Sequence, residues 1–170
     1  MVLFVVGCGG SGGSLGSDAI SQSDAEGFCT PDCQQQIDCG TETDLASCVS
    51  GCTADMVGWA RADAVETVFE CTAALACGAD DDPCLLEVQP LAVHDEWETA
   101  CRANLGTCLE PQDVEALCEV TGSVETDDLG FVRFIAPDIV EEMIDCLDGS
   151  ACGTQLGCVE AVFANHNIDF

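Results

Sequence analysis

Lysine and tyrosine are absent from this 170-residue chain, and its only strong cations are Arg61, Arg102 and Arg133. Against them stand 32 acidic residues, for a formal net charge of −29. A surface so acidic repels phosphate backbones and anionic headgroups, which excludes nucleic acid as a partner. No two cysteines are spaced C-x-x-C, so neither a thioredoxin-type redox pair nor a common zinc knuckle is written into the chain. The two histidines, His94 and His166, lie too far apart for zinc-finger spacing. The apolar run before Cys8 is far shorter than the roughly 20 residues a membrane-spanning helix needs. Acidity does not imply disorder here, because 48% of the residues are apolar and fall into patterned runs.

What the chain does have is cysteine, fifteen in all. That density belongs to disulfide scaffolds of oxidising compartments. The first cysteine stands apart: "MVLFVVGC" is an apolar run ending at Cys8, followed by the Gly/Ser-rich "GGSGGSLGSDAISQSDAEG". Residues 1–8 therefore read as the end of a signal peptide, and 9–25 as a flexible tether. Val5, Val6, Gly7 and Cys8 resemble the lipobox of bacterial lipoproteins, a family in which the cysteine is lipidated and becomes the mature N-terminus. No basic residue precedes Cys8, so the signal peptide is expected to begin upstream of Met1. Setting Cys8 aside leaves an even number of cysteines, as a closed set of bridges requires.

The rest of the chain contains a duplication. "RADAVETVFECTAALACG" (61–78) aligns without a gap on "APDIVEEMIDCLDGSACG" (136–153), matching Asp63/Asp138, Val65/Val140, Glu66/Glu141, Cys71/Cys146, Cys77/Cys152 and Gly78/Gly153. The apolar spacing predicts a helix in each copy. Asp63 and Asp138 are expected as N-caps, with Gly78 and Gly153 as stops. Upstream, "CTPDCQQQIDCGTETDLASCVSGC" (29–52) carries a twin C-x3-C, whose spacing places two thiols on one helical face. It resembles the disulfide-laced helical hairpin of the small mitochondrial import chaperones. In the second copy Cys101, Cys108 and Cys118 correspond to Cys33, Cys39 and Cys48, while Trp97 and Gly122 replace the outer Cys29 and Cys52.

The expected fold is all-α: two tandem disulfide-stapled three-helix modules, 26–90 and 91–170, joined near Pro90. Spacing alone does not determine connectivity, but the duplication narrows it. For the first module it suggests Cys29–Cys52, Cys33–Cys48, Cys39–Cys77 and Cys71–Cys84. For the second it suggests Cys101–Cys118, Cys108–Cys152 and Cys146–Cys158.

Chemistry is sparse. "GGSGG" and "GCGGSG" match catalytic and dinucleotide-binding motifs only formally, because both lie in the tether. His94 has acidic neighbours but no identifiable nucleophile, and is expected near a helix N-terminus, solvated. No cofactor is indicated. Asp80, Asp81 and Asp82, with Glu125, Asp127 and Asp128, are the weak candidates for calcium ligands, although neither cluster has an EF-hand pattern. "LGFVRFIAP" (129–137) fits no helix period and is expected to be extended. Its Phe131, Phe134 and Ile135 are candidates for packing over the opening beside Trp97 or for meeting a partner. The whole chain resembles the cysteine-rich helical lipoproteins of Gram-negative envelopes. That resemblance implies a lipid-anchored outer-membrane, surface-exposed or periplasmic location, contact with the membrane through the anchor, and no established activity. The expected role is non-catalytic binding or structural support, toward an unknown protein or basic ligand. The alternatives are a calcium-dependent module or, less favoured, a small hydrolase or redox enzyme.

Overall fold

A computed structural model describes residues 18–120, 130–148 and 151–168. Cys8, Gly122, Glu125, Asp127 and Asp128 lie outside the described residues. The fold is all-α, and among the described residues the only β pairing is two isolated bridges.

In the first half α1 (Gln22–Cys39) and α2 (Leu45–Met56) form an antiparallel hairpin. The helix α3 (Ala62–Thr72) packs on α1, and a single turn, α4 (Asp82–Leu85), follows. Helix α1 starts inside the stretch read as tether. The Ser21 side chain accepts the Asp24 N–H as an N-cap, and Ile20 is buried. At its other end Gly40, at φ 77°, closes the helix: its N–H bonds Ile37 O, and the Thr41 N–H bonds Gln36 O. In the second half α5 (Ala92–Leu105) packs on α6 (Pro111–Cys118) and on α7 (Pro137–Asp145). The last helix, α8 (Cys152–His166), packs on α7.

All fourteen described cysteines are bridged, in the pairs the duplication suggests: Cys29–Cys52, Cys33–Cys48, Cys39–Cys77, Cys71–Cys84, Cys101–Cys118, Cys108–Cys152 and Cys146–Cys158.

The halves meet where their third helices begin. The Arg61 N–H donates to Phe134 O (2.7 Å), and the Ala136 N–H donates to Trp59 O (2.9 Å). In the repeat alignment 59 corresponds to 134 and 61 to 136, so each bond is the image of the other. The halves thus exchange equivalent backbone groups as a local two-fold would. Chain 18–20 adds to this pairing, with Ile20 N–H on Ala60 O and Ala62 N–H on Asp18 O.

That pairing corrects the expected caps. Residues up to Arg61 and Ala136 are held extended, so α3 and α7 start immediately after them. Asp63 and Asp138 therefore fall within the first helical turns, where a carboxylate still complements the helix dipole.

Neither expected stop ends a helix. Helix α3 ends at Thr72, and Gly78 (φ 75°) instead supports a turn closed by Ala79 N–H on Ala76 O. Gly153 lies inside α8. The copies diverge here because "GADDDPCLLEVQP" holds Pro83 and Pro90, which confine α4 to one turn, whereas 152–166 has no proline.

The expected extended run 129–137 contains a 3₁₀ turn, Phe131–Phe134, before Ile135 bridges to Ala60. Two cores result. The larger gathers Trp97, Leu105, Val120, Ile135, Ile139, Met143 and Phe163, among others, from the second half. The smaller holds Ile20, Ala25, Ala60, Ala62 and Val65, and Trp59 packs against both.

Candidate functional site

The first hairpin presents an open concavity along one side. In α1 a spacing of four puts Cys29 and Cys33 on one buried face. Cys48 and Cys52 face them from α2, and the two bridges fix the helices side by side. Leu45, Val49 and Thr53 of α2, with Val57 just past its end, then line an open groove of about 710 Å³, whose other wall is Gln22, Glu26 and Thr30 of α1. Ala46, Ser50 and Ala54 complete the lining, and their small side chains leave room for an occupant.

The groove is mainly apolar, and Leu45 (37% exposed) is the one exposed large hydrophobic side chain among the described residues. Its polar groups are differently satisfied. Gln22 Nε2 donates to Glu26 Oε1 (2.9 Å), and Thr30 Oγ1 donates to Glu26 O (2.7 Å). Thr53 is 7% exposed, and its buried hydroxyl has no hydrogen-bond partner. A buried hydroxyl left unpaired costs about 1–3 kcal/mol. Reading the sequence missed this stripe because the twin C-x3-C drew attention to the neighbouring face, although the spacing 45, 49, 53, 57 was visible.

The residues singled out in the sequence distribute differently. His94 is fully buried, not solvated as expected. Its Nδ1 accepts the Leu91 N–H (2.8 Å), which leaves the proton on Nε2 to be donated to Ile135 O (3.0 Å). Both ring nitrogens are thereby committed to backbone groups, so His94 offers none for proton transfer or metal. Its pKa is held below the usual 6.5, chiefly by desolvation, against the opposing hydrogen bond to Ile135 O; the nearby Arg61 adds to the lowering, while Asp63 and Asp95 oppose it. His166, at the end of α8, lies 3.2 Å from Glu142.

Ile135 is fully buried in the same core as Trp97, so it is not available to a partner. Phe131 is half-buried and packs against Trp59, with ring centroids 5.3 Å apart. Phe134, also half-buried, lies under the Arg133 guanidinium. The reason for Ile135 is the bridge to Ala60, which draws this segment between the halves.

Asp80, Asp81 and Asp82 cluster with carboxylate oxygens within 4.8 Å of one another, at the turn entering α4. Three carboxylates supply about half of the six to eight oxygens that calcium takes.

The arginines were also unforeseen. Arg61 is 3% exposed and donates to Asp63 Oδ1 (2.6 Å), Arg133 O (3.0 Å) and Gln89 O (2.9 Å). Arg133 is equally buried and donates to Leu85 O (3.0 Å). Each reaches carbonyls across the junction. Arg102 remains at the surface, paired with Glu98 at 2.9 Å. The exterior is therefore almost uniformly anionic.

No family model, curated protein or solved structure matches this chain.

Proposed function

We propose that this chain is a non-catalytic binding protein of a bacterial envelope, anchored to the outer membrane by lipid on Cys8. The observation that carries the reading is that all fourteen described cysteines are engaged in disulfides. Such a framework persists outside the reducing cytosol. The lipobox-like "VVGC" and the Gly/Ser run after it support a tethered form of that extracytoplasmic protein. The commitment of both His94 nitrogens argues against a histidine base at that position.

The test is metabolic labelling with a radioactive fatty acid in a Gram-negative host, with the chain expressed behind a lipoprotein signal sequence that ends at Cys8. The wild type is expected to take up label and sediment with membranes, and Cys8→Ser to lose both properties. Membrane retention by unlabelled Cys8→Ser would overturn the anchor. The clustered carboxylates of Asp80, Asp81 and Asp82 support a second reading, a calcium-dependent module. Calcium titration calorimetry separates it: heat lost in Asp81→Asn would favour this reading over the first.

A further inference from the structure

We infer that the α1/α2 groove is a docking site for a basic amphipathic helix of a partner protein, a reading that deepens the binding role proposed above. Three observations converge on it. The groove carries the one exposed large hydrophobic side chain among the described residues, Leu45, in line with Val49 and Val57. Thr53 lines it, is more than nine-tenths buried, and its hydroxyl has no partner. The third observation is charge: with −29 overall, Arg61 and Arg133 buried and Arg102 paired, the walls offer an approaching chain almost no cation.

Charge selects the occupant. A second copy of this chain would bring another −29 to the interface, so self-association is opposed. A cationic segment is attracted instead, and Glu26 on the α1 wall is placed to meet one of its charges.

Shape selects a helix. From Leu45 to Val57 the α2 stripe runs about 18 Å, the length of roughly twelve helical residues. A groove between two side-by-side helices receives a third through anchors spaced i, i+3/i+4 and i+7. The second half shows such an edge covered. In the repeat register Glu26 corresponds to His94, which lies buried beneath the backbone of Ile135. There His94 is buried against the Ile135 backbone; in the first half Glu26 is exposed.

The probe is a synthetic helix of about fourteen residues with leucines on one face and lysines on the other. It is titrated calorimetrically into the full oxidised chain, and compared with the same peptide bearing glutamates. The lysine peptide should saturate at one per chain and weaken as salt rises, while the glutamate peptide should not bind. Leu45→Asp and Thr53→Val, each checked for the seven bridges by non-reducing peptide mapping, report on the groove. Leu45→Asp should weaken binding by about tenfold or more. In Thr53→Val the smaller loss expected reads the hydroxyl separately. Affinity unchanged in Leu45→Asp would show diffuse polyanion attraction and overturn the site, as would equal binding of the glutamate peptide. Self-association lost in Leu45→Asp would assign the groove to a second copy and also overturn the inference. None of these results bears on Cys8, so failure of the groove and failure of the envelope reading are told apart by the fatty-acid labelling.

Discussion

The two halves carry similar sequence patterns but are stabilised differently. The first carries four bridges around a small core, in which Ala25, Ala60 and Ala62 leave little apolar area to bury. The second carries three bridges around a core built on Trp97, Leu105, Ile139 and Met143. Aligned positions show the trade directly. Val65 and Val140 are both buried, but Val68 is half-buried where Met143 is fully so, and Trp97 fills the place of Cys29. A covalent link that restricts the unfolded chain has been exchanged for a large side chain that stabilises the folded one.

The widest expected effect, by the length of chain that opens to exchange, separates staple from core. Cys33→Ala/Cys48→Ala and Cys101→Ala/Cys118→Ala open loops of similar length (sequence separations 15 and 17), each a loss of about 3 kcal/mol. With so little core behind it, the first double variant should lose hydrogen-exchange protection across 22–72. The second should keep part of its protection across 92–118. Equal collapse in both would remove the distinction.

Next comes Trp97→Ala, expected to cost about 3–5 kcal/mol. Hydrogen exchange should rise across 92–118 and 137–147 while 22–56 changes little. The Trp97 indole N–H has no partner, so Trp97→Phe should cost far less. A Phe variant as unstable as the Ala variant would mean that the N–H contributes after all.

A smaller effect concerns the junction. The folded-state pKa of His94 is lowered, so below 6.5 the unfolded chain takes up the proton before the folded one does. The stabilisation is therefore complete above about pH 7, and is lost as pH falls through 6.5 toward the folded value. Melting temperature should drop over that window, with opening first at Ile135 and Leu91, the partners of the ring. In His94→Gln, which keeps a donor for Ile135 O, this component of the pH slope should vanish.

The smallest effect tests a single backbone angle. Gly40 adopts φ 77° with open space where a Cβ would stand, so Gly40→Ala should cost only the left-handed strain, about 1 kcal/mol. Chemical denaturation measures it, and a loss several times larger would mean that the first half tolerates even less than its thin core implies.

Much of the covalent plan was legible in the sequence because its signals are short-range. A spacing of four placed Cys29 with Cys33 and Cys48 with Cys52, and a gapless repeat constrained which more distant cysteines could pair. Helical character followed from local periodicity for the same reason. What only the tertiary structure decided was burial and helix limits. Asp63 and Asp138 have good capping chemistry, yet the exchange of backbone bonds between 59–61 and 134–136 set where α3 and α7 begin. His94 read as a solvated residue until Ile135, far along the chain, supplied a carbonyl to bury it against, and Arg61 is buried in the same way against the Arg133 carbonyl. The groove depended equally on distance, because the stripe Leu45, Val49, Thr53 and Val57 could have faced a core. Whether an amphipathic face is covered depends on where the rest of the chain goes, and no window of neighbouring residues contains that information.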